Sequence, residues 1–159
     1  MAAARRRGQR GFTYLEMVAT AGIVMILASA ILPLSRVVRQ RQKEIELRRA
    51  LRTMRTAIDE YKKQVDAGQI GGTDVKLGSE GYPPDIETLV KGVSHVGRVD
   101  RKWKFLRRIP IDPMSGETDW GMRCYQDEPD TESWCGQNVW DVYSKSGGKA
   151  LDGSRYKDW

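Results

Sequence analysis

The chain has 159 residues and a formal net charge of +6, from 27 Lys/Arg against 21 Asp/Glu. That length suits one compact domain plus an extended element. No nucleophile–base pair, paired-carboxylate cleft or phosphate-cradling glycine loop is legible, and there is one histidine, His95, so the pattern argues against an enzyme and offers no catalytic residue.

The charge is unevenly placed. Residues 1–11 carry Arg5, Arg6, Arg7 and Arg10 with no acid. Residues 36–65 carry ten Lys/Arg against four acids, whereas residues 66–159 carry thirteen against sixteen. The basicity therefore belongs to a leader and a stem, and the remaining head is mildly acidic. Nucleic-acid binding would need a basic face on the folded domain, so no nucleic-acid partner is expected.

Residues 1–11 are too short and hydrophilic to be structure and are set aside as a leader. Met17 to Ser35 is a run of nineteen residues without a charge, close to the ~20 that a membrane-spanning helix needs. Arg36, Arg39, Arg41 and Lys43 follow directly, so positive charge nearly balances across the run and does not orient it. Glu16 is the anomaly at its edge. A charge in or near bilayer hydrocarbon costs about 2.5–3.5 kcal/mol, which marks such a residue as functional. The bland alternative is an uncleaved anchor whose Glu16 sits among headgroups. Pro33 lacks an N–H and crowds the carbonyl of Ser29, so a kink is expected there.

The helix is expected to continue to about residue 66. Residues 36–46 are polar all round. From there Leu47, Leu51, Met54, Ile58, Tyr61 and Val65 form one apolar stripe at helical period, suited to lying against a small sheet. Gly68, Gly71 and Gly72 end the helix. Residues 66–81 read as a loop with a short strand at Val75–Leu77. Residues 81–90 read as a turn and then a short helix capped by Asp85. Pro110 and Pro113 forbid a regular helix around them. Trp120–Tyr125 and Val139–Ser144 read as strands joined by the polar loop Gln126–Asn138. Ser146–Gly148 reads as a turn, and Leu151–Trp159 as an irregular tail.

Cys124 and Cys135 lie eleven positions apart at the edges of that loop. Two cysteines alone do not make a structural zinc site. In an oxidising compartment a disulfide is the natural reading, worth roughly 3 kcal/mol on the chain-entropy model. Two free thiols are the alternative.

The stretch Arg10-Gly11-Phe12-Thr13-Tyr14-Leu15-Glu16, running into the long apolar segment, resembles the type IV prepilin signal shared by pilins and the pseudopilins of type II secretion. The resemblance implies cleavage of the Gly11–Phe12 bond by a prepilin peptidase, N-methylation of Phe12, and a role for Glu16 in filament assembly. It places the leader in the cytoplasm and the remainder outside. In the head, Gly81-Tyr82-Pro83-Pro84, then Phe105 to Pro113 with its I-P-I-D-P, then Val142-Tyr143-Ser144 before a glycine turn, resemble the major, G-type pseudopilin. The implied fold is α+β and pilin-like: a long N-terminal helix, membrane-spanning in its lower half, packed on a small antiparallel sheet. Its divisions are a cleaved leader 1–11, a transmembrane and assembly helix 12–35, a stem 36–66 and a periplasmic head 67–159.

The implied partners are the prepilin peptidase/methyltransferase, further copies of the chain in a helical filament, other pseudopilins, inner-membrane secretion components and membrane lipid. Phe12 and Glu16 stand four residues apart, so on a continuous helix Glu16 would face the amine that cleavage exposes. The family commonly holds a structural calcium in the loop after the Tyr-Ser strand. Lys145 to Asp152 departs from that pattern, with Asp152 and Asp158 the only acids after Asp141. The expectation is therefore no metal and no cofactor, with a structural calcium as the lesser alternative. The function implied is a pseudopilus subunit of type II secretion in the inner membrane and periplasm. The alternatives are a type IV pilin of a surface fibre, or a membrane-anchored periplasmic binding module.

Overall fold

The computed structural model describes residues 11–71, 78–128, 131 and 133–159, with only the backbone of residues 30–34 and 98–101. The strand expected at Val75–Leu77 lies outside the described residues. The chain is α+β. Helix α1 spans Tyr14–Asp66, and its residues belong to two compact units that divide between Arg39 and Gln40. The helix assignment passes through Pro33, whose side chain lies outside the described residues, as does the kink expected there.

The second unit is a head built around α1. Leu47, Leu51, Met54, Ile58 and Tyr61 are buried, with Ala50 and Ala57 beside them. They meet Leu89, Leu106, Trp120, Val139, Val142 and Tyr156 in one core. Each large apolar side chain removed from water contributes about 1.5–3 kcal/mol. The stripe therefore dominates the packing although α1 is otherwise polar from Gln40 onward.

Gly68 ends α1 for a geometric reason. Its φ of +68° lets Gly68 N–H reach Val65 O and Gln69 N–H reach Gln64 O, both at 2.9 Å. This paired closure satisfies the last carbonyls, and its left-handed residue suits glycine. Helix α2, Ile86–Lys91, starts at Asp85, whose Oδ1 accepts from Thr88 N–H at 2.6 Å and stops at Gly92 with φ +78°.

The head has two separate two-stranded sheets where a single small sheet was expected. Strand β1, Val93–His95, pairs antiparallel with β2, Arg98–Trp103, with a register irregularity between Ser94 and His95. Strand β3, Trp120–Arg123, pairs with β4, Asp141–Ser144. The first hairpin escaped the sequence reading because β2 is mostly charged and shows no apolar alternation. The segment between the hairpins holds Pro110 and Pro113, which cannot donate to a ladder, and this keeps the sheets apart. The packing joins them instead: Leu89 O accepts from both Phe105 and Leu106 N–H, and Val139 N–H donates to Pro83 O. The tail is more ordered than expected. Lys149 and Arg155 form a bridge, and Tyr156–Asp158 is a 3-10 turn.

Candidate functional site

Gly11, Phe12 and Thr13 precede α1, so Phe12 is not on the helix. This corrects the expected one-turn geometry between Phe12 and Glu16. Thr13 is the cap instead: its Oγ1 accepts from Glu16 N–H at 3.4 Å, and its carbonyl accepts from Met17 N–H at 3.1 Å. The sequence reading missed this cap, although Thr-x-x-Glu is a capping-box spacing. Glu16 also lies in the first turn, where a negative charge complements the helix dipole.

Glu16 is exposed and has no ion-pair partner among the described residues. Around it the apolar side chains are uncovered: Phe12 is 76% exposed, and Leu15, Met17, Val18 and Ile23 to Leu27 are exposed as well. The hydroxyls in this stretch turn inward on their own helix. Thr20 donates to Met17 O at 3.0 Å and Ser29 to Ile26 O at 2.7 Å. They therefore present no unsatisfied donor to apolar surroundings. Among the described residues no helix is long and apolar enough to cross a membrane.

At the other end of the chain, the tail is tied to α1. Glu44 is buried, and its Oε1 accepts from Leu151 N–H at 2.9 Å and from Tyr156 O–H at 3.1 Å. Gln40 Nε2 donates to Lys149 O at 3.0 Å. Burial raises the Tyr156 hydroxyl above its ordinary pKa. Arg55 ties both β4 and the tail to α1, through Nε to Asp141 Oδ1 at 2.6 Å and through Nη2 to Trp159 O at 2.7 Å. Neither Glu44 nor Gln40 carried a sequence signal, because their partners lie more than a hundred positions away.

These contacts decide whether the loop after β4 fits calcium, which takes six to eight oxygens with several carboxylates. Lys149 O is engaged by Gln40. The Asp152 carboxylate accepts from Ser154 N–H and O–H and faces Arg48, and the Ser154 bonds hold it below the usual carboxylate range. Asp158 is similarly lowered by Arg155, and Lys145 sits on Asp119. The oxygens are spoken for by protein donors, and cations stand beside the carboxylates. The set does not fit calcium.

Cys124 and Cys135 form a disulfide with Cα atoms 6.0 Å apart. Asp127 lies against the two sulfurs, but its carboxylate accepts from Cys124 N–H at 2.7 Å, and disulfide sulfurs are not thiolate ligands. Inside the loop Asn138 bonds Tyr125 N–H and Gln126, and Trp134 Nε1 donates to Asn138 O at 2.7 Å. Asp112 of the I-P-I-D-P stretch is fully buried. It accepts from Met114 N–H at 2.8 Å and from Ser144 O–H at 2.6 Å, so it locks the turn onto β4. His95 stacks on Trp103.

No protein-family model, curated protein or solved structure matches the chain.

Proposed function

We propose that the chain is a pseudopilin, a structural subunit that polymerises into a periplasmic pseudopilus of type II protein secretion after leader cleavage at Gly11–Phe12 and N-methylation of Phe12. The observation that carries this reading is the exposed Glu16 in the first turn of a helix whose apolar side chains are uncovered. An exposed apolar surface of this extent calls for a covering partner, and a carboxylate at its edge calls for a cation. A bilayer followed by a filament of further copies meets both needs. Cleavage creates the cation, because the α-amine of Phe12 does not exist until the leader is removed. The Glu16 carboxylate then pairs with that amine on a neighbouring copy.

In this reading α1 has two duties. Residues 12–35 anchor the subunit in the inner membrane and pack in the filament, while Leu47 to Tyr61 form the core that carries the periplasmic head. The prepilin peptidase/methyltransferase, membrane lipid and other secretion components are its partners. No catalytic residue, metal or cofactor is assigned.

Mass spectrometry of the mature N-terminus is the first test, and methylated Phe12 is expected. An intact leader would instead favour the membrane-anchored binding module. Glu16→Leu is expected to be cleaved and inserted but to yield no filament; normal filament yield from it would sink the reading. Deletion that abolishes surface fibres and spares secretion would shift the choice to a type IV pilin.

A further inference from the structure

The two cysteines of the bridge have opposite surroundings. Cys124, directly after β3, is fully buried. Its N–H donates to Asp127 Oδ2 at 2.7 Å, and its Sγ lies 3.1 Å from Asn138 O. Asn138 is itself fully buried, and its Oδ1 accepts from Tyr125 N–H at 3.0 Å. In the reduced chain the Asn138 carbonyl is placed to accept from the Cys124 thiol. That bond favours the neutral thiol, which is the unreactive form.

Cys135 is exposed, and so are Ser133, Trp134, Gly136 and Gln137 around it. Gly136, at φ +77°, turns the chain directly after it. Gln137 N–H then points back at Cys135 Sγ, 3.4 Å away. A donor aimed at a sulfur stabilises negative charge there. Trp134 stands beside it, half-exposed and held by its Nε1–H to Asn138 O at 2.7 Å. A fixed aromatic next to the sulfur offers apolar contact to an approaching protein. The Asp127 carboxylate lies within 4.8 Å of both sulfurs and so does not distinguish them.

This asymmetry bears on how the bridge is made. A disulfide forms when a thiolate attacks an existing disulfide, through a mixed-disulfide intermediate, and access to the attacking sulfur governs the rate. An exposed sulfur with a donor beside it meets that requirement. A fully buried one meets it only when the head opens locally. Closure is different, because it is intramolecular: the second thiol needs no access to solvent, and its effective concentration at the first sulfur is high.

We propose that Cys135 is the site at which an oxidising thiol–disulfide oxidoreductase engages the chain, and that Cys124 is the resolving thiol. In the reduced chain the Cys135 thiolate attacks one sulfur of the oxidoreductase's disulfide. A bond between Cys135 and the enzyme forms, the enzyme's S–S bond breaks, and its other sulfur leaves as a thiolate. The Cys124 sulfur then attacks Cys135 Sγ. The Cys124–Cys135 bond forms, the mixed disulfide breaks, and the enzyme's remaining sulfur leaves. The chain loses two electrons and two protons, and the enzyme gains them as its dithiol. The inference rests on the periplasmic head of the reading above, because disulfides form and persist in oxidising compartments.

The test uses full-length chains in detergent micelles, with oxidised glutathione as the probe disulfide and the mass of the adduct as the readout. Cys124→Ser leaves only Cys135, and Cys135→Ser leaves only Cys124, so neither adduct can resolve. Cys124→Ser is expected to form its adduct about tenfold faster or more, since the buried thiol must await local opening. In concentrated denaturant the two rates are expected to converge, which shows that the fold selects the thiol. Equal rates without denaturant, or faster reaction of Cys135→Ser, overturn the proposal. The reduced unmodified chain gives a check free of substitution: a short pulse of N-ethylmaleimide is expected to label Cys135 before Cys124, and the reverse order overturns it. In cells, an oxidoreductase whose second active-site cysteine is replaced by serine is expected to be trapped covalently by Cys124→Ser and not by Cys135→Ser. Equal trapping of both overturns the proposal. Methylated Phe12 together with equal thiol reactivity leaves the filament reading standing and sinks this inference alone. Two free thiols in acid-quenched chain from cells sink the periplasmic head and the inference together.

Discussion

Gly121 shows how much one side chain decides. It pairs with Tyr143 across β3 and β4, and the Tyr143 ring lies over it, so an added Cβ would sit 2.3 Å from Tyr143 Cζ. Arg123 then stacks on the same ring at 4.3 Å. Gly121→Ala must push the ring off and lose that contact. A loss of roughly 1–3 kcal/mol is expected in denaturant unfolding, the usual cost of overpacking. In a Tyr143→Leu background the same substitution is expected to cost clearly less; equal cost in both backgrounds would place the strain elsewhere. A glycine inside a strand signals close approach in the sequence, but its partner became identifiable only with the register. The Thr13 cap was missed in the sequence, although its spacing to Glu16 is a signal for it. Glu44 was not, since a buried acid in a polar stretch looks like any solvated one until its distant partners are known.

At the scale of elements, α1 was the most legible part, because six apolar positions at period 3.6 state both the helix and its buried face. Its end was legible too, through the glycine at Gly68. The β1–β2 hairpin was not, since β2 is mostly charged in sequence and its turn rests on Gly97 at φ +81°. The tail was hidden too: its order comes from α1. Glu44→Ala removes the acceptor of Leu151 N–H and Tyr156 O–H and is expected to cost about 1–3 kcal/mol by leaving the buried Tyr156 hydroxyl without its acceptor. Amide hydrogen exchange is expected to speed at Leu151 and Tyr156 and not at Leu89. Because protein donors already occupy the loop, chelator and millimolar calcium are expected to leave the thermal midpoint of the unmodified chain unchanged. A calcium-dependent rise would show that the loop rearranges to hold the ion.

Over the whole molecule, the disulfide and the core are separable supports. The bridge closes a loop with a sequence separation of 11 and encloses none of the α1 stripe. Reduction is therefore expected to preserve the helical circular-dichroism signal and to lower the thermal midpoint by roughly 10 °C. An unchanged midpoint would mean that the Asn138 and Trp134 bonds alone hold the loop. The overall class, a long helix with a small antiparallel β component, was legible from the apolar run, the stripe and the Val139–Ser144 alternation. The division into two sheets was not, because nothing in a list of strands says which of them pair.

The cap at Thr13 has a consequence for reach. Since α1 begins at Tyr14, the proposed cleavage at Gly11–Phe12 would leave the new amine ahead of the helix, on Phe12 and the cap residue Thr13. Thr13 is held to the first turn by its two hydrogen bonds, so the amine would turn about Phe12 alone, one extended residue of about 3.5 Å. In the proposed filament, a reach of that length would absorb small lateral offsets between neighbouring copies. The position of a subunit would then be set by its packed surfaces, with the amine adapting to them.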